Sequence, residues 1–351
     1  MKRKPEHFRL FEYMIFTAVT IAVLCLCVCV GSVNIPLKDT VNVVVTAVRN
    51  GFAARFGGEV IPLKGLAASI ILSVRLPRVF CVALSGAALS LAGAAMQGLL
   101  KNPLADGSTL GVSSGASLGA VIAIAFGLTF PGLPFAGTMV MAIAFAFLSL
   151  LIILGLAYKL DRSLSTNTII LIGVIYSMFV SSAMNVIITF AGEKVKDITF
   201  WTLGSLQSSS YQNAGVLAAV LLICGGIILL HAQELNAFAV GEDNARHVGV
   251  DVKRTKLVIL ITVSVLIGVC VSIGGTISFV GLVTPHMVRM IVGPNHKRLL
   301  VACAYGGAVF LLLADLVARI LLDPIELPIG VVTSLVGAVV FIFIFYRTRK
   351  R

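Results

Sequence analysis

Residues 136–156 read AGTMVMAIAFAFLSLLIILGL. The run carries no charge, and it shows neither a polar helical face nor a two-residue alternation. A helix rises about 1.5 Å per residue and a hydrocarbon core is about 30 Å thick, so a run of this length can cross one. A helix satisfies its own backbone polar groups in lipid, whereas the strands of a membrane barrel alternate apolar and polar residues. The stretch therefore decides for a helical membrane protein.

The rest of the chain agrees. Apolar residues make up 58% and charged residues 12%, and mean hydropathy is +1.05. A soluble domain of 351 residues needs a charged shell that this composition cannot supply. Ten candidate spans are expected: 12–33, 76–99, 110–127, 136–158, 167–190, 212–231, 256–273, 279–293, 299–320 and 328–346. The eighth is short and interrupted by Pro285, so it is expected to cross only in part. Lys2, Arg3, Lys4 and Arg9 precede the first apolar run as in a signal peptide. That run is long, lacks a small-residue cleavage site and is followed by further spans, so it is kept as the first helix. The expected fold class is an all-α polytopic membrane protein, a single transmembrane domain over 1–351.

Lys and Arg set the orientation. With the N-terminus inside and ten alternating spans, the inside segments hold Lys2, Arg3, Lys4, Arg9, Lys101, Lys159, Arg162, Arg246, Lys253, Arg254, Lys256, Arg289, Lys297, Arg298, Arg347, Arg349, Lys350 and Arg351. The outside holds only Lys38, Arg49, Arg55, Lys64, Arg75, Arg78, Lys194, Lys196 and Arg319. The bias predicts both termini in the cytoplasm. The net charge of +12 is then a topology signal, and no soluble basic domain is left to bind nucleic acid.

Four segments between spans have substance. Asn34–Val74 lies outside, with Pro36 and Pro62, and is expected to pack on the surface. Lys101–Thr109 lies inside, and Gly192–Tyr211 lies outside with the only tryptophan, Trp201. Ala232–Thr255 lies inside and is the most polar stretch. Asn102-Pro103-Leu104 followed by Leu110-Gly111-Val112 echoes Asp323-Pro324-Ile325 followed by Ile329-Gly330-Val331. The two copies fall on opposite sides, as in two inverted-topology halves. Their spacing differs, so chance similarity between two helix starts stays open.

The phosphate-loop and zinc-hydrolase signatures are missing. The chain has no Gly-Lys dipeptide and hence no phosphate-cradling G-x-x-x-x-G-K-[ST] loop. It has no H-E-x-x-H either. The seven cysteines, Cys25, Cys27, Cys29, Cys81, Cys224, Cys270 and Cys303, all lie in apolar runs. Cys25-x-Cys27-x-Cys29 splays round a helix instead of converging on a metal. No catalytic residue, metal or cofactor is expected, and any ATP is bound by another chain.

The remaining polar features each admit two readings. Arg75 and Arg78 flank Pro77 at the outer mouth of a span. A charge at the centre of a lipid-facing helix costs about 2.5–3.5 kcal/mol on insertion scales, so both belong at the interface or beside an acid. They are either interfacial anchors or a patch for a carboxylate-bearing partner. Asp315 lies one helical turn before Arg319. The two form a private salt bridge, or Asp315 holds a guanidinium that forks onto a partner. Within Glu234–Gly249, Asn236 is expected to cap a short helix, Gly241 to break it, and Gly249 to stop a second. The segment is a connector or a docking surface. Pro285-His286 reads as structural.

Three stretches carry a resemblance: RLPRVFCVALSGAALSLAGAAMQGLLKNPLADGSTLGVSSGASLGA (75–120), GTISFVGLVTPHMVRMIVGPNHKRLL (275–300) and ADLVARILLDPIELPIGVVTSLVGAVVF (314–341). They resemble the permease subunits of iron-siderophore, haem and cobalamin ATP-driven importers, the FecCD family with its type II importer fold. The similarity covers nearly the whole chain, more weakly before residue 65. It implies ten spanning helices per subunit, paired as a dimer around one central path. Arg75, Arg78 and Arg319 match arginines that receive acidic residues of an extracytoplasmic substrate-binding protein. Leu235–Val250, with Leu235, Asn236, Gly241, Glu242, Asp243, Ala245, Arg246 and Gly249, matches the coupling helices that seat in an ATPase subunit. Asn102 and Leu104, with Ser165, Thr166 and Asn167, match loops near an inner gate, and a simple loop remains the other reading. Where the family reads N-P-L-A-x-P, this chain has Gly107, which leaves the loop freer.

The expected protein is the permease of an ABC importer in the bacterial inner membrane, carrying an iron(III)-siderophore or similar chelate. Its partners are a second permease subunit (identical or related), two ATPase subunits and a binding protein. Cobalamin or haem is the alternative cargo. An ion-coupled secondary transporter is the rival of another class, and only Asp315 offers it an ionisable group in a span.

Overall fold

The computed structural model describes residues 8–349 apart from 58, 60, 64, 108, 109 and 129–135. Of the charge bias, Lys2, Arg3, Lys4, Lys64, Lys350 and Arg351 lie outside the described residues. The described chain is helical, with one bridge between Leu322 and Ile325. Its α-helices are α1 (Leu10–Cys29), α2 (Leu37–Phe56), α3 (Leu66–Ser69), α4 (Leu76–Leu100), α5 (Val112–Ala125), α6 (Ala136–Leu160), α7 (Thr166–Phe190), α8 (Val195–Thr202), α9 (Tyr211–Leu230), α10 (Ala232–Val240), α11 (Glu242–His247), α12 (Val252–Gly274), α13 (Val280–Val292), α14 (His296–Ile320) and α15 (Ile329–Arg349).

Among the described residues, seven helices are long and apolar enough to cross a membrane: Leu10–Cys29, Leu66–Leu100, Gly137–Leu160, Thr166–Phe190, Tyr211–Leu230, Val252–Gly274 and His296–Ile320. Three shorter apolar helices join them, Val112–Ala125, Val280–Val292 and Ile329–Ile344. At 1.5 Å per residue α13 reaches only about 20 Å, less than a hydrocarbon core, and Pro285 sits inside it.

The second apolar helix departs from the expected start at residue 76. Its helical run begins at Leu66 and includes a π-helical stretch, Ile70–Arg75, that ends two residues before Pro77. A proline has no N–H and its ring crowds the carbonyl four residues back, so a wider turn there lets the helix continue. Arg75 and Arg78 therefore sit within a helix and not at its mouth. Much of the segment before it, expected to pack on the surface, is filled by α2. Asp39 lies in the first turn of α2 and Arg55 in the last, matching the helix dipole. Gly57, at φ 75°, ends it.

α4 is the buried centre of the chain and runs antiparallel to α14. Arg78 faces Asp315, Gly86 faces Gly307, and Gly98 lies under the His296 ring. A Cβ at Gly86 would fall on the Gly307 carbonyl, and one at Gly93 on the carbonyl of Gly281 in α13. Lipid tails are as apolar as leucine, so helices associate in a membrane through close contact, and small residues permit it. α7 and α15 instead turn large side chains outward, including Leu171, Ile175, Phe179, Leu335, Val339 and Ile342. The two Asn/Asp-Pro segments of the faint repeat follow α4 and α14, the two members of this pair.

Candidate functional site

At one end of the α4–α14 pair three arginines gather. Asp315 is wholly buried, and its Oδ1 receives Arg78 Nε at 3.0 Å and Nη2 at 2.9 Å. Its Oδ2 lies 3.0 Å from Arg319 Nε. Arg78 Nη1 reaches Glu326 at 2.7 Å. Glu326 also accepts from Gln207 at 2.7 Å and from Ser32 at 3.2 Å, so it ties the α1–α2, α8–α9 and α14–α15 connections to α4. Burial pushes the Glu326 carboxyl up, but the Arg78 hydrogen bond and charge, with the Gln207 and Ser32 bonds, more than offset it. Its pKa lies below the usual glutamate value.

Arg75 and Arg319 also close the end of α1. The last carbonyls of a helix lack partners within it. Arg319 donates to the Cys27 and Val30 carbonyls, each at 3.1 Å. Arg75 donates to Val28 at 3.0 Å and Cys29 at 3.1 Å, and to Val33. Cationic groups there also suit the negative end of the helix dipole. Arg75, Arg78 and Arg319 are only 5%, 6% and 3% exposed. The structure thus brings the three expected docking arginines together, and gives each a structural task that spacing alone did not reveal. The expected i,i+4 pair forms, and Arg78 shares its carboxylate.

The polar segment lies at the opposite end, where α14 begins. α10 and α11 are separated by Gly241 at φ 150° and followed by Gly249 at φ 88°. Asn236 corrects one expectation, since it lies inside α10 and does not cap it. Its Oδ1 accepts from the His296 backbone N–H at 2.8 Å and meets His296 Nδ1 at 2.9 Å. Its amide donates to Asn295 Oδ1 at 3.2 Å. It therefore completes the first turn of α14 from another helix. Leu235 and Ala245 are buried and hold α10 and α11 down, whereas Asp243, Arg246 and Gly249 are exposed. Glu242 pairs with Lys256 at 2.7 Å and accepts from the Thr166 hydroxyl at 3.2 Å.

Of the expected gate residues, Asn102 Oδ1 accepts from the Leu104 N–H at 2.9 Å and closes a local turn. Ser165 caps α7, Thr166 reaches Glu242, and Asn167 is exposed. Among the described residues no hydrogen bond or ion pair joins Asn102 or Leu104 to 165–167. Asp161 stiffens the loop before α7, accepting from the Ser163 hydroxyl at 2.6 Å and the Ser165 N–H at 3.1 Å. These bonds hold its carboxyl well below the usual range.

A cavity of about 250 Å³ lies among α4, α5, α7 and α12, lined in part by Asp106, Ser113, Ser114, Ser117, Thr276 and Ser278. None of the expected site residues lines it. Its sequence signal is Ser113, Ser114 and Ser117 at helical spacing, which the sequence reading did not take up. Among the described residues no group of three His, Cys, Asp or Glu is placed to hold a metal. Cys25 is exposed, Cys29 half-buried and Cys27 buried, so that run does splay.

These features make a polytopic helical membrane protein with one polar segment at one end and a paired arginine cluster at the other. The pattern of the FecCD transport family matches residues 19–347. The hemin transport system permease protein HmuU of Yersinia pestis is 37% identical over 287 residues, 80% of this chain and 84% of that protein. The cobalamin import system permease protein BtuC of Halobacterium salinarum is 36% identical over 275 residues, 78% and 73% respectively. An inward-facing structure described as a metal-chelate type ABC transporter superposes with a TM-score of 0.79 at 30% identity, over 95% of this chain and 98% of that one. The chain belongs to the FecCD family: it is a multi-pass, non-catalytic permease subunit of an ABC importer.

Proposed function

We propose that this permease imports an iron(III)-siderophore or a similar large metal chelate across the cell membrane. The α10–α11 end, with both termini, faces the cytoplasm and receives the ATPase, and the arginine end receives a loaded binding protein. The observation that carries the reading is the cluster of Arg75, Arg78 and Arg319 against two carboxylates, Asp315 and Glu326. Its excess of positive charge, at the end remote from α10–α11, suits acidic residues of a docking protein. Because the guanidiniums are buried, docking acids reach Arg78 by displacing Glu326, the more exposed of its two carboxylates.

The cargo path belongs to a pair of permease subunits. The 250 Å³ cavity of one chain falls below the roughly 300–1,000 Å³ of ordinary small-ligand sites, and a siderophore complex is larger still. Metal-chelate cargo is supported by the relative of 30% identity described as of that type. Haem and cobalamin, named for the relatives of 36–37% identity, form the second reading. Asn102, Leu104, Ser165, Thr166 and Asn167 are assigned to the inner gate, and Leu235 to Gly249 to ATPase coupling.

The test is ATP-driven uptake into proteoliposomes holding permease and ATPase, with binding protein outside. A ferric siderophore, cobalamin and haem are compared. Uptake of the ferric chelate is expected, and uptake of cobalamin or haem alone overturns the cargo. Arg75→Glu/Arg78→Glu is expected to abolish binding-protein stimulation and to leave ATPase co-purification intact.

A further inference from the structure

Lys256 is wholly buried in the second turn of α12. Its Nζ pairs with Glu242 of α11 at 2.7 Å and donates to the Leu164 carbonyl at 2.9 Å. Leu164 belongs to the loop before α7 and holds a positive φ of 53°, which a leucine seldom adopts. Two residues on, the Thr166 hydroxyl donates to the same Glu242 carboxylate at 3.2 Å. One ammonium thus joins three segments: α11, α12 and the 161–166 loop. The neighbouring cations Lys253 and Arg254 are exposed, so the burial is particular to this position.

A buried ammonium is unfavourable unless it is paired and hydrogen-bonded, and a methionine would fill the space without that cost. The charge is therefore understood through the geometry it imposes. α10 is pinned elsewhere, through Asn236 to the start of α14. Gly241, at φ 150°, separates the two pinned helices.

We infer that Lys256 is a positioning residue for transport: through Glu242 it fastens α11 to the Leu164–Thr166 loop, so that motion imposed on α11 by the ATPase moves the inner gate. The inference rests on the proposed function, in which α11 couples to the ATPase and the loop borders the gate.

The test uses the complex of permease, ATPase and binding protein in lipid, with Lys256→Met and Thr166→Val. Cargo imported per ATP hydrolysed is measured, together with hydrogen exchange of peptides covering 159–170. In the wild type, ATP is expected to change exchange in this loop. Lys256→Met is expected to import at least tenfold less per ATP and to lose the loop response, while co-purifying ATPase to within twofold of wild type. Thr166→Val is expected to lose twofold to threefold in the same ratio. An assembled Lys256→Met complex with wild-type coupling and loop response overturns the inference. If that variant fails to assemble, Thr166→Val decides, and an unchanged ratio and loop response in it overturn the inference. A wild-type complex that imports nothing with its partners present refutes the functional reading itself, and the inference with it.

Discussion

Replacing Asp315 with asparagine keeps the side-chain shape and removes the charge shared by Arg78 and Arg319. At an effective dielectric of about 20, unit charges 3 Å apart attract by about 5–6 kcal/mol before desolvation is counted. Removing one partner of a buried pair costs about 3–5 kcal/mol, because the other charge is stranded. Arg78 keeps Glu326 and Arg319 keeps two carbonyls, so Asp315→Asn is expected at the lower end, about 3 kcal/mol. Adding Arg319→Met removes one stranded cation but also the bonds to the Cys27 and Val30 carbonyls, so the double variant is expected to cost at least about 1 kcal/mol less than the sum of the two single variants. The assay is reversible detergent unfolding followed by the fluorescence of Trp201, the only tryptophan. A cost below about 1 kcal/mol for Asp315→Asn, the range of solvent-exposed pairs, refutes the reading of a dry, shared carboxylate. Simple additivity in the double variant refutes the coupling.

Other consequences follow from the packing and the caps. Gly86→Leu forces a side chain onto the Gly307 carbonyl and is expected to destabilise by at least about 1–3 kcal/mol, seen as loss of the monodisperse peak in fluorescence-detected gel filtration. Ser165→Ala removes the α7 cap at a cost of about 1 kcal/mol, read as faster amide exchange in the first turn of α7. Asn236→Ala removes the acceptor for the His296 N–H and is expected to cost about 1 kcal/mol in the same detergent titration. The Glu326 pKa is lowered in the folded chain, so its stabilisation is complete above the ordinary glutamate value and is lost as pH falls through the lowered folded value. Glu326→Gln is expected to lack this acid limb in a plot of thermal stability against pH.

The helical class and the apolar runs are legible in the sequence because lipid demands long uncharged stretches. α2 is not, because it is amphipathic and too polar to be found by a search for spans. The early start of the second apolar helix is hidden by Pro77, which normally marks a helix start and here follows a π turn. At the arginine end, Asp315 and Arg319 declare themselves by i,i+4 spacing, whereas Arg78 joins them across 237 residues. Glu326 is an ordinary loop acid until the fold brings Ser32, Arg78 and Gln207 round it. Lys256 counts only toward the inside charge bias, because its carbonyl partner lies 92 residues away. Local spacing reveals pairs on one helix; pairs that join helices need the tertiary structure.

α14 touches both candidate sites. Its first turn is held by Asn236 of α10, and it carries Asp315 and Arg319, about 28 and 34 Å further along at 1.5 Å per residue. A hydrogen-bonded helix transmits a push or rotation along its axis with little compression. If a binding protein and the ATPase occupy its two ends, thermodynamic linkage makes their coupling reciprocal. Whatever factor a docked binding protein applies to ATPase affinity, the ATPase applies to binding-protein affinity. Measuring either affinity with and without the other partner reports the same coupling free energy, with no cargo and no hydrolysis needed.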